Sequence, residues 1–379
     1  MRVALFTGNY NYVREGANQA LNRLVGRGLE TGHSFRVYSP VTDTPAFEPV
    51  GELVPVPSII LPLRSEFRLA SGLPRRVRDD VRSFAPDIVH VSTPDILGMR
   101  GQTFARHLRV PLVASLHTRF ETYFEHYGLG WARPLAEAHL RRFYRRSDHV
   151  LAPTPGIVAE VKALRGDDCV SLWSRGVDRD LFDPKRRDME WRRARDFKDE
   201  DIVVLFFGRL VREKGVRDYV EIVQRLRAQG VAMKPLVVGA GPAADVFAGL
   251  GDAVLTGHLD GQDLARAVAS ADLLVHASRT EAFGNVVLEA MASGLAIVSA
   301  ATDSSRQLIE HGRSGLLVTA GEPEAFTAAI VPLASDSNRR RELGIEARTS
   351  SSRFCWNAAS DSVLDAYTSV LAVSAPAPA

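Results

Sequence analysis

Two glutamates, Glu281 and Glu289, flank seven residues that include the turn sequence Phe283-Gly284-Asn285. After Asn285 the apolar residues Val286, Val287, Ala290 and Met291 recur at helical spacing, which places Glu289 one turn inside a helix and Glu281 in the loop before it. Asn285 suits an N-cap, and Gly284 lets the chain turn closely. The first amides of such a helix have no partner within it and favour anionic or hydroxyl-rich ligands. Ionised carboxylates only accept hydrogen bonds, which suits the hydroxyls of a sugar or a ribose. Two cations complete the set, since Arg209 and Lys214 follow the apolar run 202–207. They can neutralise a diphosphate and hold the charge that develops when one leaves, with Lys214 aimed at ligand charge rather than at the core. Carboxylates, cations and open helix amides in this order are what a nucleotide-sugar requires.

The elements that carry these residues alternate strand and helix. Residues 3–7, 35–38, 53–56, 87–91, 110–116 and 149–152 read as strands in the first half; 202–207, 236–238, 254–255, 273–276 and 296–299 do so in the second, with helices to the end after 299. Such alternation implies an α/β chain with two parallel, doubly wound sheets, helices on both faces. In open parallel sheets ligands bind beyond the carboxyl ends of the strands. His117 follows the strand 110–116 and so stands where chemistry would occur, which sets a functional histidine level with a structural one. Gly16 closes the polar loop after the first strand; it is either a close backbone approach to a ligand or a simple helix entry. Residues 57–73 mix apolar residues with Arg64 and Arg68. The helix that Pro74 opens turns Val77, Val81 and Phe84 inward and Arg75, Arg76, Arg78 and Arg82 outward, as a solvated face or a patch for anionic lipid headgroups. The region 120–146 is rich in aromatics and arginines, Phe143 and Tyr144 among them; it reads as core plus a solvated face or as the wall of a channel for an amphipathic acceptor.

A chain of 379 residues exceeds one ordinary core and fits two domains. The net charge is +2, and the first 170 residues carry 22 lysines and arginines against 17 acidic residues. Two cysteines imply no disulfide framework and a reducing compartment, and the opening apolar run is too short for a signal peptide or a membrane span. The sequence holds no GxxxxGK[ST], no GxGxxG after its first strand, and no CxxC or HExxH spacing, which argues against P-loop ATPases, dinucleotide oxidoreductases and zinc enzymes. Asp178-Arg179-Asp180 has the form of a DxD metal motif, but its turn setting before Pro184 favours a structural role. Nucleic-acid binding is unsupported, because no recognition motif occurs.

The Glu281–Glu289 spacing, Gly208-Arg209, Lys214-Gly215, the loop before Gly16, His117-Thr118 and Arg175-Gly176-Val177-Asp178 together resemble the retaining GT-B glycosyltransferases of family 4. The resemblance covers nearly the whole chain. It implies two Rossmann-like domains facing a central cleft: an acceptor-binding domain over 1–172, a donor-binding domain over 173–353, and a helix over 354–379 that crosses back to the first domain and ends in a disordered tail. Under it Arg209 and Lys214 bind the donor diphosphate and Glu289 the ribose. Glu281 and the backbone of Phe283, Gly284, Asn285 and Val286 hold the sugar, and His258 and Leu259 meet the base. His117 lies near the reacting centre, and Gly16 approaches the donor phosphate from the other domain. His117, Arg209, Lys214 and Glu281 are thus the candidate catalytic residues. Transfer is then metal-independent, with no cofactor beyond the UDP- or GDP-hexose co-substrate, and proceeds by front-face attack with retention.

A narrower resemblance, carried by His117 to Phe120, Tyr127 to Gly130 and Trp173 to Asp178, is to the branch that glycosylates membrane glycerolipids, including sulfoquinovosyl-diacylglycerol synthase-like and lipid mannosyltransferase-like enzymes. Thr118, Arg119, Tyr123 and Tyr127 would line the acceptor site there. Arg119 departs from the plainer polar residue common in that branch and would suit an anionic headgroup. The expected partners are the nucleotide-sugar, a lipid or lipid-linked acceptor and an anionic membrane surface. The expected location is the cytoplasm, peripheral on the inner face of the cell membrane. The alternatives are a soluble or polysaccharide acceptor and a non-catalytic nucleotide-sugar-binding protein.

Overall fold

The computed structural model describes residues 1–61, 64–118 and 130–374. They form two compact units, one made of the described residues up to Gly176 together with the last helix, Trp356–Ser374, the other of Val177–Cys355. In the first unit the strands are β1 (Arg2–Phe6), β2 (Ser34–Ser39), β3 (Glu52–Pro55), β4 (Ser58–Leu61), β5 (Arg64–Ala70), β6 (Ile88–Val91), β7 (Leu112–Ser115), β8 (His149–Ala152) and β9 (Val170–Leu172). Seven of them make one parallel sheet in the order β3-β2-β1-β6-β7-β8-β9, and β4 and β5 pair antiparallel beside it as a separate two-stranded sheet. The second unit has β10 (Val203–Phe207), β11 (Lys234–Val238), β12 (Val254–Gly257), β13 (Leu273–His276), β14 (Ala296–Ala300) and β15 (Leu316–Val318), parallel in the order β12-β11-β10-β13-β14-β15.

Both orders reverse direction once, between β1 and β6 and between β10 and β13. At such a switch point the two following loops diverge to opposite faces and leave a crevice at the carboxyl end of the sheet. The strand interiors are near-continuous apolar runs because helices cover both faces: Val3, Ala4, Leu5 and Phe6 are fully buried, and so are Val203, Val204 and Leu205. In the second unit two apolar clusters, one on each side of the sheet, divide these residues by alternation, Val203 and Leu205 to one and Val204 and Phe206 to the other.

The last helix packs against the helix Gly16–Glu30, and its Val363, Leu364, Tyr367 and Val370 enter a cluster with Leu21, Leu24 and Val25. Arg27 pairs with Asp361 across the same contact at 2.7 Å. Helix Arg75–Phe84 buries Val77 and Val81 and leaves Arg75, Arg76, Arg78 and Arg82 exposed, as its apolar period requires.

Several expectations need correction. Gly284, at φ +96°, is the N-cap of the helix Asn285–Ala292, and Asn285 is its first turn residue. Residues 57–73 contain the β4–β5 hairpin, and β15 adds a strand after 299. Phe143 and Tyr144, on the helix Arg133–Arg145, are buried in the core, one of the two readings of their region, whereas Trp131 is 74% exposed. Arg119, Tyr123, Tyr127 and the tail beyond 374 lie outside the described residues.

Val363 sits wholly buried between the last helix and the first. Val363→Ala removes two methyl groups from that cluster, so a loss of about 2–3 kcal/mol is expected in urea denaturation. An unchanged midpoint would show that the last helix contributes nothing to the stability of the first unit.

Candidate functional site

The second unit assembles most of the predicted residues at its switch point. β10 ends at Phe207, Gly208 and Arg209 follow, and a 3-10 turn, Arg212–Lys214, leads through Gly215 into the helix Val216–Ala228. Gly215 is left-handed at φ +73°, and a Cβ there would lie 2.8 Å from the Ala277 carbonyl carbon. No other residue type lets the turn after β10 approach the end of β13 so closely. That approach brings Lys214 to Glu281: the ammonium donates to Oε1 at 2.7 Å and to Oε2 at 2.8 Å. Lys214 therefore has a protein partner, which the sequence reading did not foresee. An ammonium carries three donors, so the pairing leaves capacity for a phosphate.

His276, the last residue of β13, also reaches Glu281, with Nε2 at 3.5 Å from Oε1, while its Nδ1 lies 3.2 Å from Ser299 Oγ on β14. Burial by itself would raise the Glu281 carboxyl, but Lys214 and His276 outweigh it and hold the group well below the usual carboxylate range. Glu281 is therefore an ionised anchor, its side chain 13% exposed.

Glu289 behaves in the opposite way. It lies one turn into the helix Asn285–Ala292 and is half-buried. Burial pushes its carboxyl up to about 8. Below that pH it is protonated, so it donates as well as accepts, in contrast to the acceptor-only carboxylate expected. The amides of Asn285 and Val286 open the same helix and have no carbonyl within it to meet. Phe283 is buried, its ring edge-to-face with Phe354 at 5.9 Å, which fixes the loop from below. His258 and Leu259 follow β12 at the edge of the same rim, His258 exposed and Leu259 packed on the core. Arg209 is half-buried on that rim beside β10.

Asp178 Oδ1 accepts from the amides of Asp180 and Leu181 at 3.2 and 3.0 Å. It ties a turn, the structural role its setting suggested.

In the first unit Gly16 is the first residue of the helix after β1, and Glu15 and Asn18 close a capping box around it. His117 follows β7 on the same carboxyl rim, with Thr118 half-buried beside it. Both nitrogens of the His117 ring are occupied. Arg175 donates to Nδ1 at 2.8 Å, and Nε2 lies 2.8 Å from Ser115 Oγ. Burial, then the charge of Arg175, then His90 push its pKa well below the ordinary 6.5. Both ring nitrogens are engaged and the neutral ring is favoured, so acid–base work by His117 would require one of these contacts to break.

Sequence reasoning missed His276, Ser299, Arg175 and Ser115 as members of these clusters. The rule that singled out His117, a histidine at the carboxyl end of a parallel strand, applies equally to His276.

Two parallel α/β units, one with an ion pair and an open helix start at its switch point, define the two-domain architecture of the GT-B glycosyltransferases. Residues 14–181 match the family model described as Glycosyltransferase Family 4, and residues 201–336 match that described as Glycosyl transferases group 1. The chain is 35% identical to a GDP-mannose-dependent alpha-mannosyltransferase of Mycolicibacterium smegmatis over 98% of each protein. It is 30% identical to the sulfoquinovosyl transferase SQD2 of Arabidopsis thaliana over 80% of this chain and 60% of that one. It is 24% identical to an alpha-monoglucosyldiacylglycerol synthase of Acholeplasma laidlawii over 85% and 86%. The fold is shared with sucrose-phosphate synthase of Thermosynechococcus elongatus at a TM-score of 0.79 and 18% identity, over 98% of this chain and 99% of that one. The protein belongs to the family 4 glycosyltransferases.

The Glu289 carboxyl ionises at about 8 when folded and at an ordinary 4.5 otherwise. Between those values the folded protein keeps a proton that the unfolded chain has lost, so this group's contribution to stability falls as pH rises through the window. Glu289→Gln removes that loss. The variant is expected to melt above wild type near pH 7.5, the difference vanishing toward pH 4.5; a variant that melts lower at every pH contradicts the assignment.

Proposed function

We propose that the protein is a retaining, metal-independent glycosyltransferase that moves a hexose from a nucleotide-sugar to a membrane lipid or lipid-linked acceptor. The observation that carries the reading is the Lys214–Glu281 pair at the switch point, beside the open amides of the helix Asn285–Ala292. Lys214 and Arg209 take the donor diphosphate and hold the charge that grows on it as the glycosidic bond breaks. Glu281 and the loop from Phe283 to Val286 hold the sugar, Glu289 the ribose, and the segment at His258 and Leu259 the base. The departing phosphate accepts the proton of the acceptor hydroxyl, so no protein nucleophile is required. That agrees with a His117 ring whose nitrogens are both engaged.

GDP-mannose is the first donor to test, because the Mycolicibacterium relative is named for it. Mannose is α-linked in that donor, and the same name specifies an alpha product, which supports retention. A lipid acceptor is supported by the diacylglycerol in the name of the Acholeplasma relative. It is supported also by the surface of the first unit. Ile59 and Ile60 on β4 are 58% and 57% exposed, and the segment after the β4–β5 hairpin leads into the helix that exposes Arg75, Arg76 and Arg78. Apolar wedges beside arginines suit an anionic bilayer. Among the described residues no helix is long and apolar enough to cross a membrane, so contact by surface is the arrangement proposed.

Removing Lys214 alone would strand the Glu281 carboxylate, so the donor test changes both. Lys214→Met combined with Glu281→Gln is expected to fold and melt near wild type, yet to lose the melting shift that nucleotide-sugars give in EDTA and to lose turnover. A double variant that keeps the shift, or a wild type that needs a divalent cation, contradicts the reading. For the acceptor, wild type is expected to sediment with anionic liposomes and an Arg75/Arg76/Arg78 to Glu variant to stay in solution. Equal sedimentation of the two, with activity only on soluble sugars, would favour a soluble acceptor.

A further inference from the structure

A chain of buried polar groups runs from the last helix to the strand end that carries His117. Tyr367 Oη lies 2.5 Å from His90 Nδ1, His90 Nε2 lies 2.7 Å from Ser115 Oγ, and Ser115 Oγ lies 2.8 Å from His117 Nε2. Tyr367, His90 and Ser115 are each fully buried. The chain crosses two adjacent strands, β6 and β7, and begins on a helix far off in sequence. At its other end Arg175 closes the ring of His117 by donating to Nδ1 at 2.8 Å, while its other terminal nitrogen donates to the carbonyls of Trp173 and Ser174.

The proton arrangement at His117 follows from chemistry. A guanidinium has donors and no acceptor, so Nδ1 must present its lone pair to Arg175. A neutral ring then carries its proton on Nε2 and donates it to Ser115. The alternative, an imidazolium, would put a second cation against Arg175, which is 3% exposed and has no carboxylate partner among the described residues. Aromatic contacts fix the same groups. Trp173 stands edge-on to His117 at 4.9 Å and tilted to His90 at 5.9 Å, Arg175 lies over the Trp173 ring at 5.2 Å, and Tyr367 meets His90 edge-on at 5.8 Å. A serine hydroxyl can rotate, but Ser115 is held between two imidazoles, and His90 is held in turn by Tyr367.

We propose that Tyr367 on the last helix is a positioning residue for His117, acting through His90 and Ser115, and that the chain locks His117 as the neutral Nε2–H tautomer in one orientation. His117 then offers a substrate a fixed uncharged surface at the carboxyl end of β7 and takes no proton. The packing of the last helix on the first unit thereby becomes a condition for the geometry of the candidate active site, and not only a source of stability. This deepens the transferase reading and rests on it for the kinetic arm of the test alone.

The test uses the full-length protein with 15N-labelled histidine. Wild-type His117 is expected to show the Nε2–H signature and no titration between about pH 5 and 8. Tyr367→Phe and Ser115→Ala are each expected to move the His117 ring signals while the fold, read by backbone spectra, is kept. In turnover assays both should lower kcat on the order of 10- to 100-fold, with the donor's melting shift and KM near wild type. Two variants are used because a buried serine and a buried tyrosine disturb packing differently, so a shared effect on His117 is not a packing effect. An Nδ1–H tautomer in wild type, a His117 that titrates near 6.5, or His117 signals unmoved in Tyr367→Phe overturns the proposal whatever the activity. A wild type with the expected signature that binds no nucleotide-sugar supports the positioning chain and removes the transferase reading instead.

Discussion

The second unit depends on one close approach. The turn after β10 comes within van der Waals reach of the strand end of β13, because Gly215 has no side chain to meet Ala277. Everything at the rim follows from it. Lys214 meets Glu281, Glu281 is drawn far into its ionised form, and His276 and Ser299 extend the contact onto β13 and β14. A half-buried carboxylate is expensive unless it is paired. The pairing therefore fixes the loop from Glu281 to Gly284, and with it the start of the helix that carries Glu289. A bulkier residue at 215 would separate two strand ends and unpair a charge at once.

The two units use the same topology to different chemical ends. In both, the polar residues cluster where the strand order reverses or one strand beyond it. At the rim of the second unit the cluster is charged and partly open, with Lys214 at 28% side-chain exposure. In the first it is neutral around a single cation and nearly closed, since His117, Ser115, His90 and Tyr367 satisfy one another. A charged, partly open cluster suits an anionic ligand that arrives and leaves. A closed one suits a surface whose shape must not change.

How much of this was legible in the sequence depends on how local each feature is. The strands at 149–152 and 273–276 coincide with β8 and β13, because short apolar runs between turn residues have few other solutions. β15 has only three residues, too few for a period, and the β4–β5 hairpin is masked by charges within its apolar run. The helix after Gly284 was legible from its spacing, but the cap fell one residue early, since a left-handed glycine replaced the side-chain cap that Asn285 suggested. The residue types of the site were legible too. Their pairing was not: Lys214 and Glu281 are 67 positions apart, and His90 and Tyr367 are 277 apart. No periodicity encodes a contact of that range. The protonation of Glu289 was hidden for the same reason, because it depends on neighbours that only the fold supplies.

That protonation changes what Glu289 can do on the proposed reading. A nucleotide-sugar brings a diphosphate to the rim, and a nearby anion disfavours ionisation further. Lys214 and Arg209 offset the phosphate charge, but Lys214 is already shared with Glu281. On that reading a bound diphosphate would favour the neutral form of Glu289 further, and a neutral carboxyl can donate one hydrogen bond to, and accept another from, a pair of vicinal hydroxyls. A permanently ionised carboxylate at 289 would add a second anion beside the diphosphate and weaken the attraction that the two cations supply. Burial one turn into the helix thus does for Glu289 what the ion pair prevents at Glu281. One glutamate is held charged by its ion pair and anchors the loop, while burial disfavours charge on the other, which on the proposed reading suits the approach of a dianionic ligand.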